Sequence, residues 1–260
     1  MDKIGIIGIG NMGGAIAKAL CEEKKNLIIY NRTESDMDGF KGIDNVTIAK
    51  SNVDLVKQAK YIIIAVKPVV CPTVAKEIKD YLTDESVVIS IAASYTLEKM
   101  ERLFPGRKIV IGMPNMPAIV MEAMSAICPN DRLNENELKD VIEIFSSFGE
   151  VTELDEDKFA AFTAVCGSLP AYIYMFIEAA ADAAVLNGMN RKDSYRFIAQ
   201  TVLGSSKLIL EGKEHPAKLK DDVTSPSGTT IEGLKVLEAH GFRSGIIEAL
   251  NEAAKKYREM

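Results

Sequence analysis

Short apolar runs alternate with helical patterns along the chain as far as residue 150. The runs are rich in Val and Ile and apolar throughout, which is typical of parallel strands covered on both faces. We therefore predict an α/β fold with a doubly wound, Rossmann-like, mostly parallel sheet. The predicted strands are Lys3–Gly8, Leu27–Asn31, Val46–Ile48, Tyr61–Val66, Val87–Ile91, Ile109–Met113 and Ala126–Pro129.

The strand pattern ends after Glu150-Val-Thr-Glu153, and the rest of the chain shows only helical patterns. Pro170, Asn187-Gly188, Gly212 and Gly241 separate the predicted helices. The change places a domain boundary near residue 154. We expect a Rossmann-like domain over residues 1–153 and an all-α domain over residues 154–260.

One predicted helix, residues 171–187, is apolar around most of its circumference, with Glu178 and Asp182 as its polar positions. Such a helix must be buried on nearly all sides. The simplest partner for it is the same helix of a second subunit, so we predict an intertwined homodimer. The alternative is a monomer with an all-α core.

Composition narrows the class of protein. The chain has 260 residues, a net charge of −6 and a pI near 5.2, which disfavour nucleic acid as a partner. Its four cysteines show no C-x-x-C spacing, so no metal site is expected. The stretch from Pro170 to Leu186 looks too short and too polar for a membrane span, and no signal peptide is evident. We expect a cytoplasmic enzyme without a membrane partner.

A G-x-G-x-x-G motif, formed by Gly8, Gly10 and Gly13, lies between the first predicted strand and a predicted helix. This context is typical of dinucleotide binding. The first glycine permits the tight turn, the second lets the pyrophosphate approach the backbone, and the third packs the helix close to the strand. The helix start, with Asn11 and Met12, then offers free N–H groups to the phosphates.

The second predicted strand ends in Asn31-Arg32-Thr33, where NAD-binding sites usually place an acidic residue. Asn31 and Thr33 can hydrogen-bond a 2′-phosphate, and Arg32 can pair with its charge. We therefore predict NADPH as the cofactor, with NADH possible but weaker. The remaining predicted cofactor contacts are Asn52, Ala65, Val66, Lys67, Pro68, Ala92 and Asn115.

A loop of small residues leads into a predicted helix near Thr229, where Thr229 and Glu232 have capping-box spacing. The backbone N–H groups of Gly228, Thr229 and Thr230 can hold a carboxylate, and the hydroxyl groups of Ser225, Thr229 and Thr230 can add contacts. By spacing alone, an ordinary capped helix explains the same residues.

Eight motifs are spread over nearly the whole chain: Gly8-Ile-Gly-Asn-Met-Gly13, Ala65-Val-Lys-Pro68, Ser90-Ile-Ala-Ala93, Met113-Pro-Asn-Met-Pro117, Gly167-Ser-Leu-Pro-Ala-Tyr172, Gln200-Thr-Val-Leu-Gly204, Glu214-His-Pro216 and Val223-Thr-Ser-Pro-Ser-Gly-Thr-Thr-Ile231. With these motifs the chain resembles the pyrroline-5-carboxylate reductases. The resemblance implies reduction of 1-pyrroline-5-carboxylate, a cyclic imino acid, to L-proline as the last step of proline biosynthesis. It also implies a dimer formed by the helical domain, often in a ring of dimers, and assigns Thr230 a place beside the ring nitrogen.

Four positions depart from that family's pattern. Leu169 replaces a glycine, Ile111 an arginine, Met116 a threonine and Tyr95 a glycine. Leu169 and Ile111 leave open an NADP-binding regulatory homologue with little turnover. A β-hydroxyacid dehydrogenase is a further alternative, although the Gly-x-x-x-Asn-x-x-Lys pattern of that family is absent after Gly167.

Overall fold

The computed structural model describes residues 2–259. It contains two compact units, one of residues 2–167 with 254–259 and one of Ser168–Ala253. This division lies later in the chain than the predicted boundary near residue 154. The reason is that Phe159, beyond that boundary, is buried in the core of the first unit.

An eight-stranded sheet forms the first unit, in the order β3-β2-β1-β4-β5-β6-β7-β8. Neighbouring strands are parallel except for the antiparallel pair β6 and β7. The predicted fold class is therefore confirmed, and each predicted strand overlaps an observed one. The strands are β1 Ile4–Ile7, β2 Leu27–Tyr30, β3 Val46–Ile48, β4 Tyr61–Ile64, β5 Val87–Ser90, β6 Lys108–Met113, β7 Ala123–Pro129 and β8 Gly149–Glu153.

Both faces of this sheet are buried, as the continuous apolar runs require. Tyr61 and Ile63 of β4 enter one core cluster, while Ile62 and Ile64 enter the other. Successive side chains of a strand point to opposite faces, so a strand with two buried faces has no polar position. The helices cover the two faces.

Six helices belong to the first unit, and the helical unit contains the rest. A π-helix, Thr163–Ser168, joins α6 to α7 and was not predicted. The helices are α1 Asn11–Glu22, α2 Asn52–Val56, α3 Cys71–Ile78, α4 Leu97–Leu103, α5 Glu135–Ser146, α6 Phe159–Phe162, α7 Leu169–Leu186, α8 Arg191–Gly212, α9 Pro216–Asp222, α10 Thr229–Ala239 and α11 Phe242–Arg258, whose last residues return to the first unit.

Helix α7 packs against α8, yet most of its apolar surface is exposed: Met175 is 72% exposed and Leu186 is 88% exposed. The continuous helical run Glu156–Leu186 is long and apolar enough to cross a membrane by length and composition. The predicted exclusion of a span on length was therefore wrong, because the π-helix lets the run begin well before Pro170.

Candidate functional site

Strands β1 to β6 run parallel, so the segments that follow them share one edge of the sheet. In such folds ligands bind outside this carboxyl edge. Every predicted cofactor residue lies in one of these segments. The segments hold Gly8, Gly10, Asn11, Met12 and Gly13 after β1, Asn31, Arg32 and Thr33 after β2, Asn52 after β3, Ala65, Val66, Lys67 and Pro68 after β4, Ala92 after β5 and Asn115 after β6.

The glycine-rich turn between β1 and α1 contains two glycines, Gly8 and Gly13, at which a side chain is unfavourable. Gly8 has φ +97°, a left-handed conformation that favours glycine. A Cβ on Gly13 would lie 1.9 Å from the carbonyl oxygen of Gly8 and 2.9 Å from the Cβ of Ala65. These two positions hold the start of α1 close to β1 and to the segment that follows β4.

Gly10 is the N-cap of α1 and is open to solvent. No described heavy atom lies within 4 Å of a Cβ built on it, and no described side chain caps the helix. The first-turn N–H groups of Asn11 and Met12 thus keep their hydrogen-bonding capacity, and the positive end of the helix dipole faces the same space. This arrangement suits a pyrophosphate.

Asn52, the first residue of α2, has one amide atom in a protein contact and one without. Its Nδ2 donates to Glu77 Oε2 at 2.7 Å. Its Oδ1 is buried and has no hydrogen-bond partner in the described part of the chain. A buried acceptor without a partner is unfavourable, so this oxygen fits a donor such as a ribose hydroxyl of a bound dinucleotide.

Asn31 holds the glycine-rich turn. Its Oδ1 accepts from the backbone N of Ile9 at 3.0 Å. Its Nδ2 donates to the Thr33 carbonyl at 3.1 Å and to Asp36 Oδ2 at 2.6 Å. Both amide hydrogens are therefore used within the protein. The predicted hydrogen bond from Asn31 to a 2′-phosphate is not supported, because this side chain ties β2 to the turn.

Asn115 is also occupied by the protein. Only 9% of it is exposed, its Nδ2 donates to the Cys166 carbonyl at 2.9 Å, and its Oδ1 accepts from the backbone N of Met124 at 3.0 Å. The side chain connects the loop after β6 to the π-helix and to β7. Its predicted contact with the cofactor gains no support from these bonds.

A cavity of about 350 Å³ opens where β2 and β3 end. Arg32, which the sequence predicted, lines it together with Lys41 and Lys50, which it did not. Glu34 contributes a carboxylate to the same wall. Lys50 was not predicted, because its place beside Arg32 depends on the pairing of β3 with β2, which the sequence does not state.

The segment after β4 is held by the segment after β5. Tyr95 Oη donates to the Pro68 carbonyl at 3.1 Å, so this departure from the family pattern makes a contact of its own. Cys71 is buried beside it, and burial raises the pKa of the Cys71 thiol to about 11. Lys67 is exposed. The Cys71 thiol, with its raised pKa, stays protonated at neutral pH.

The predicted substrate loop ends at α10, whose N-cap is Gly228 rather than Thr229. The predicted capping box is therefore wrong: the loop folds back through a Gly228 N–H to Ser225 carbonyl bond of 3.1 Å and extends the cap to Gly228. A Cβ on Gly228 would lie 2.4 Å from Ser225 Oγ. No described side chain caps α10, so the N–H groups of Thr229 and Thr230 suit a carboxylate.

Leu169 is the first residue of α7 and is half-buried. It directly follows the π-helix, an element that is frequent at functional sites. Nothing in the structure explains why leucine stands here.

Two family models match the chain. Residues 156–260 match the model described as pyrroline-5-carboxylate reductase dimerisation, and residues 3–94 match that described as NADP oxidoreductase, coenzyme F420-dependent. The pyrroline-5-carboxylate reductase of Escherichia coli (strain K12) is 41% identical over 99% of this chain and 98% of its own. That of Methanosarcina acetivorans is 39% identical over 100% of this chain and 98% of its own.

A similar solved structure is also a pyrroline carboxylate reductase. The crystal structure of a Plasmodium falciparum pyrroline carboxylate reductase with NADP bound is 33% identical, with a TM-score of 0.89 over 99% of this chain and 97% of that one. A doubly wound sheet with an open glycine-rich turn is typical of dinucleotide-binding proteins, and the matched NADP oxidoreductase model narrows the class to nicotinamide-dinucleotide oxidoreductases. Identity over nearly the full length of both sequences then decides the family. The chain belongs to the pyrroline-5-carboxylate reductases.

Proposed function

We propose that this protein reduces 1-pyrroline-5-carboxylate to L-proline, with NADPH as the preferred donor and NADH as a weaker one. One observation carries the proposal: the 41% identity to the Escherichia coli enzyme extends over 99% of this chain. That range includes the glycine-rich turn and the Ser225–Thr230 loop. The open space at Gly10 and the unpartnered Oδ1 of Asn52 fit the dinucleotide independently of any relative.

When bound, NADPH supplies the hydride that converts the imine carbon to an amine carbon. The chain's own residues hold the NADPH molecule. The N–H groups of the first turn of α1 bind the pyrophosphate, Asn52 Oδ1 accepts from a ribose hydroxyl, and Arg32 pairs with the 2′-phosphate. Ala65–Pro68 and Ala92 present backbone to the cofactor from the neighbouring strand ends.

The loop before α10 holds the substrate in this proposal. The N–H groups of Gly228, Thr229 and Thr230 and the hydroxyl of Ser225 bind the carboxylate. Thr230 hydrogen-bonds the ring nitrogen or relays a proton to it, because a free alcohol is too weak an acid to act alone at neutral pH.

Replacing Thr230 tests this assignment. Thr230→Val keeps the shape of the side chain and removes the hydroxyl, so kcat/KM for pyrroline-5-carboxylate should fall about 10- to 1000-fold. The Kd for NADPH should stay unchanged. Thr230→Ser should restore most of the rate, and Thr47→Val, an exposed threonine of β3, serves as the matched control. A Thr230→Val enzyme with the wild-type kcat/KM would remove Thr230 from the site.

We further propose that the protein is cytoplasmic and forms a homodimer or a ring of dimers. The dimerisation family model covers 156–260, so it includes the exposed apolar surface of α7. That match also supports a functional division into domains 1–153 and 154–260. Light scattering in buffer without detergent should give at least twice the 28.4 kDa mass of the chain. A monomer, or a requirement for detergent, would contradict it.

A further inference from the structure

We infer that Lys50 is a specificity-determining residue, whose ammonium group selects NADPH over NADH by binding the 2′-phosphate. The inference rests on the proposed function, because it names a further residue of that cofactor site. It starts from the cavity of about 350 Å³ at the ends of β2 and β3.

The sheet register explains why Lys50 lies beside Arg32. Ile29 of β2 pairs with Ile48 of β3, and the Ala49 N–H donates to the Ile29 carbonyl at 2.9 Å. The segments that follow β2 and β3 therefore leave the sheet side by side. The backbone N of Lys50 is fixed by a bond of 2.8 Å to Asp54 Oδ2, so its Cα is anchored while its side chain lines the cavity.

The charges of this cavity differ in whether they are already paired. Lys41 Nζ lies 2.6 Å from Asp38 Oδ1. Within residues 2–259, neither Arg32 nor Lys50 has a side-chain ion pair. Glu34 is the carboxylate that lines the cavity. Among the residues that line the cavity, two cations without an ion pair and one carboxylate leave an excess of positive charge, which favours an anionic group.

The 2′-phosphate is the part of NADPH that carries this charge, about −1.5 to −2 at neutral pH, and NADH has a hydroxyl there. A contact from Lys50 to the phosphate therefore stabilises only the NADPH complex. A contact from its aliphatic stem to the adenine would instead stabilise both complexes equally. Comparing ligands with and without the 2′-phosphate separates these two roles.

The experiment is calorimetric titration of the full-length wild-type protein and of Lys50→Met with four ligands: NADPH, NADH, adenosine 2′,5′-bisphosphate and 5′-AMP. For Lys50→Met, the Kd for NADPH and for the bisphosphate should rise about 5- to 20-fold, as for loss of a charge-assisted contact at an exposed site. The Kd for NADH and 5′-AMP should change by less than about twofold. The effect should shrink at high salt.

Three further variants make the comparison specific. Lys50→Arg keeps the charge and should bind like the wild type. Lys41→Met should have a smaller effect than Lys50→Met, because Asp38 already pairs with Lys41. Lys139→Met, on the exposed surface of α5, makes the same change in net charge and should have none.

If Lys50→Met loses the same affinity for all four ligands, or loses none for any of them, the inference is wrong. The proposed function still stands in that case if the wild type binds NADPH more tightly than NADH. A wild type that binds NADPH no more tightly than NADH overturns the inference and the proposed cofactor preference together.

Discussion

Replacing each of three glycines of the turn between β1 and α1 with alanine should change stability and NADPH binding in three different ways. A Cβ on Gly13 would lie 1.9 Å from the Gly8 carbonyl oxygen, whereas a Cβ on Gly14 would meet only Ile9 Cγ2 at 3.8 Å. At Gly10 no described atom lies within 4 Å, so the methyl group would extend into the space assigned to the pyrophosphate.

The distances set the expected magnitudes. Contacts of real Cβ atoms stay above about 3 Å, so Gly13→Ala must displace α1 by about 1 Å and should destabilise the fold by about 1–3 kcal/mol. A displacement of about 1 Å also costs roughly 100-fold in activity. Gly14→Ala should stabilise the protein by about 0.5–1 kcal/mol, because alanine is favoured inside a helix. Gly10→Ala should change stability by less than about 1 kcal/mol while weakening NADPH binding at least roughly tenfold.

Denaturant unfolding and NADPH titration of the three variants measure both quantities. We expect Gly13→Ala to lose stability and binding, Gly14→Ala to gain stability with unchanged binding, and Gly10→Ala to lose binding alone. If Gly10→Ala binds NADPH like the wild type, the pyrophosphate does not lie at the start of α1. If Gly13→Ala matches Gly14→Ala in stability, the close contact with Gly8 does not exist in solution.

Two further predictions concern residues that support the site. Asn31→Ala removes the hydrogen bond that holds the Ile9 N–H, so the Kd for NADPH and the Kd for NADH should both rise by about 3- to 10-fold. If only the affinity for NADPH falls, Asn31 is a ligand of the 2′-phosphate after all. Burial alone would raise the pKa of Glu137, but the hydrogen bonds from Lys108 and from the Asn134 N–H, with the charges of Lys108 and Lys60, together outweigh burial and leave the pKa below the usual 4.5. The ionised group thus contributes stability above pH 4.5 that is lost as pH falls through the lowered pKa. Glu137→Gln should cost about 1–3 kcal/mol at neutral pH and flatten this acid limb; an unchanged unfolding profile against pH would contradict the role.

The strand pattern was readable from sequence because a parallel sheet with two buried faces needs apolar residues at every position. Tyr61 and Ile63 on one face and Ile62 and Ile64 on the other show the reason. The antiparallel direction of β7 was not readable, since a buried apolar run carries no sign of its orientation.

Side-chain partners were the harder part of the site. Asn31 and Asn115 were correctly placed at the carboxyl edge, but sequence does not show that their amides bond to Ile9, Asp36 and Cys166. The spacing of Thr229 and Glu232 suggested a capping box, and the turn that begins at Ser225 moved the cap to Gly228.

Lys50 is a site residue that the sequence does not identify. In the sequence it is one of 31 basic residues, and nothing local distinguishes it. It becomes a candidate only when the pairing of β3 with β2 brings it to the cavity that Arg32 lines. The identity of residues that act across neighbouring strands depends on the sheet order, which the sequence does not state.

Isotope transfer can show whether the protein moves a hydride from NADPH to the imine carbon. The purified protein is incubated with 1-pyrroline-5-carboxylate and NADPH deuterated at the reactive nicotinamide carbon, and the product is identified by mass spectrometry and NMR. The expected product is L-proline that carries one deuterium on the former imine carbon. NADPH that binds to the protein without forming proline would rule out the proposed reduction and favour a regulatory homologue.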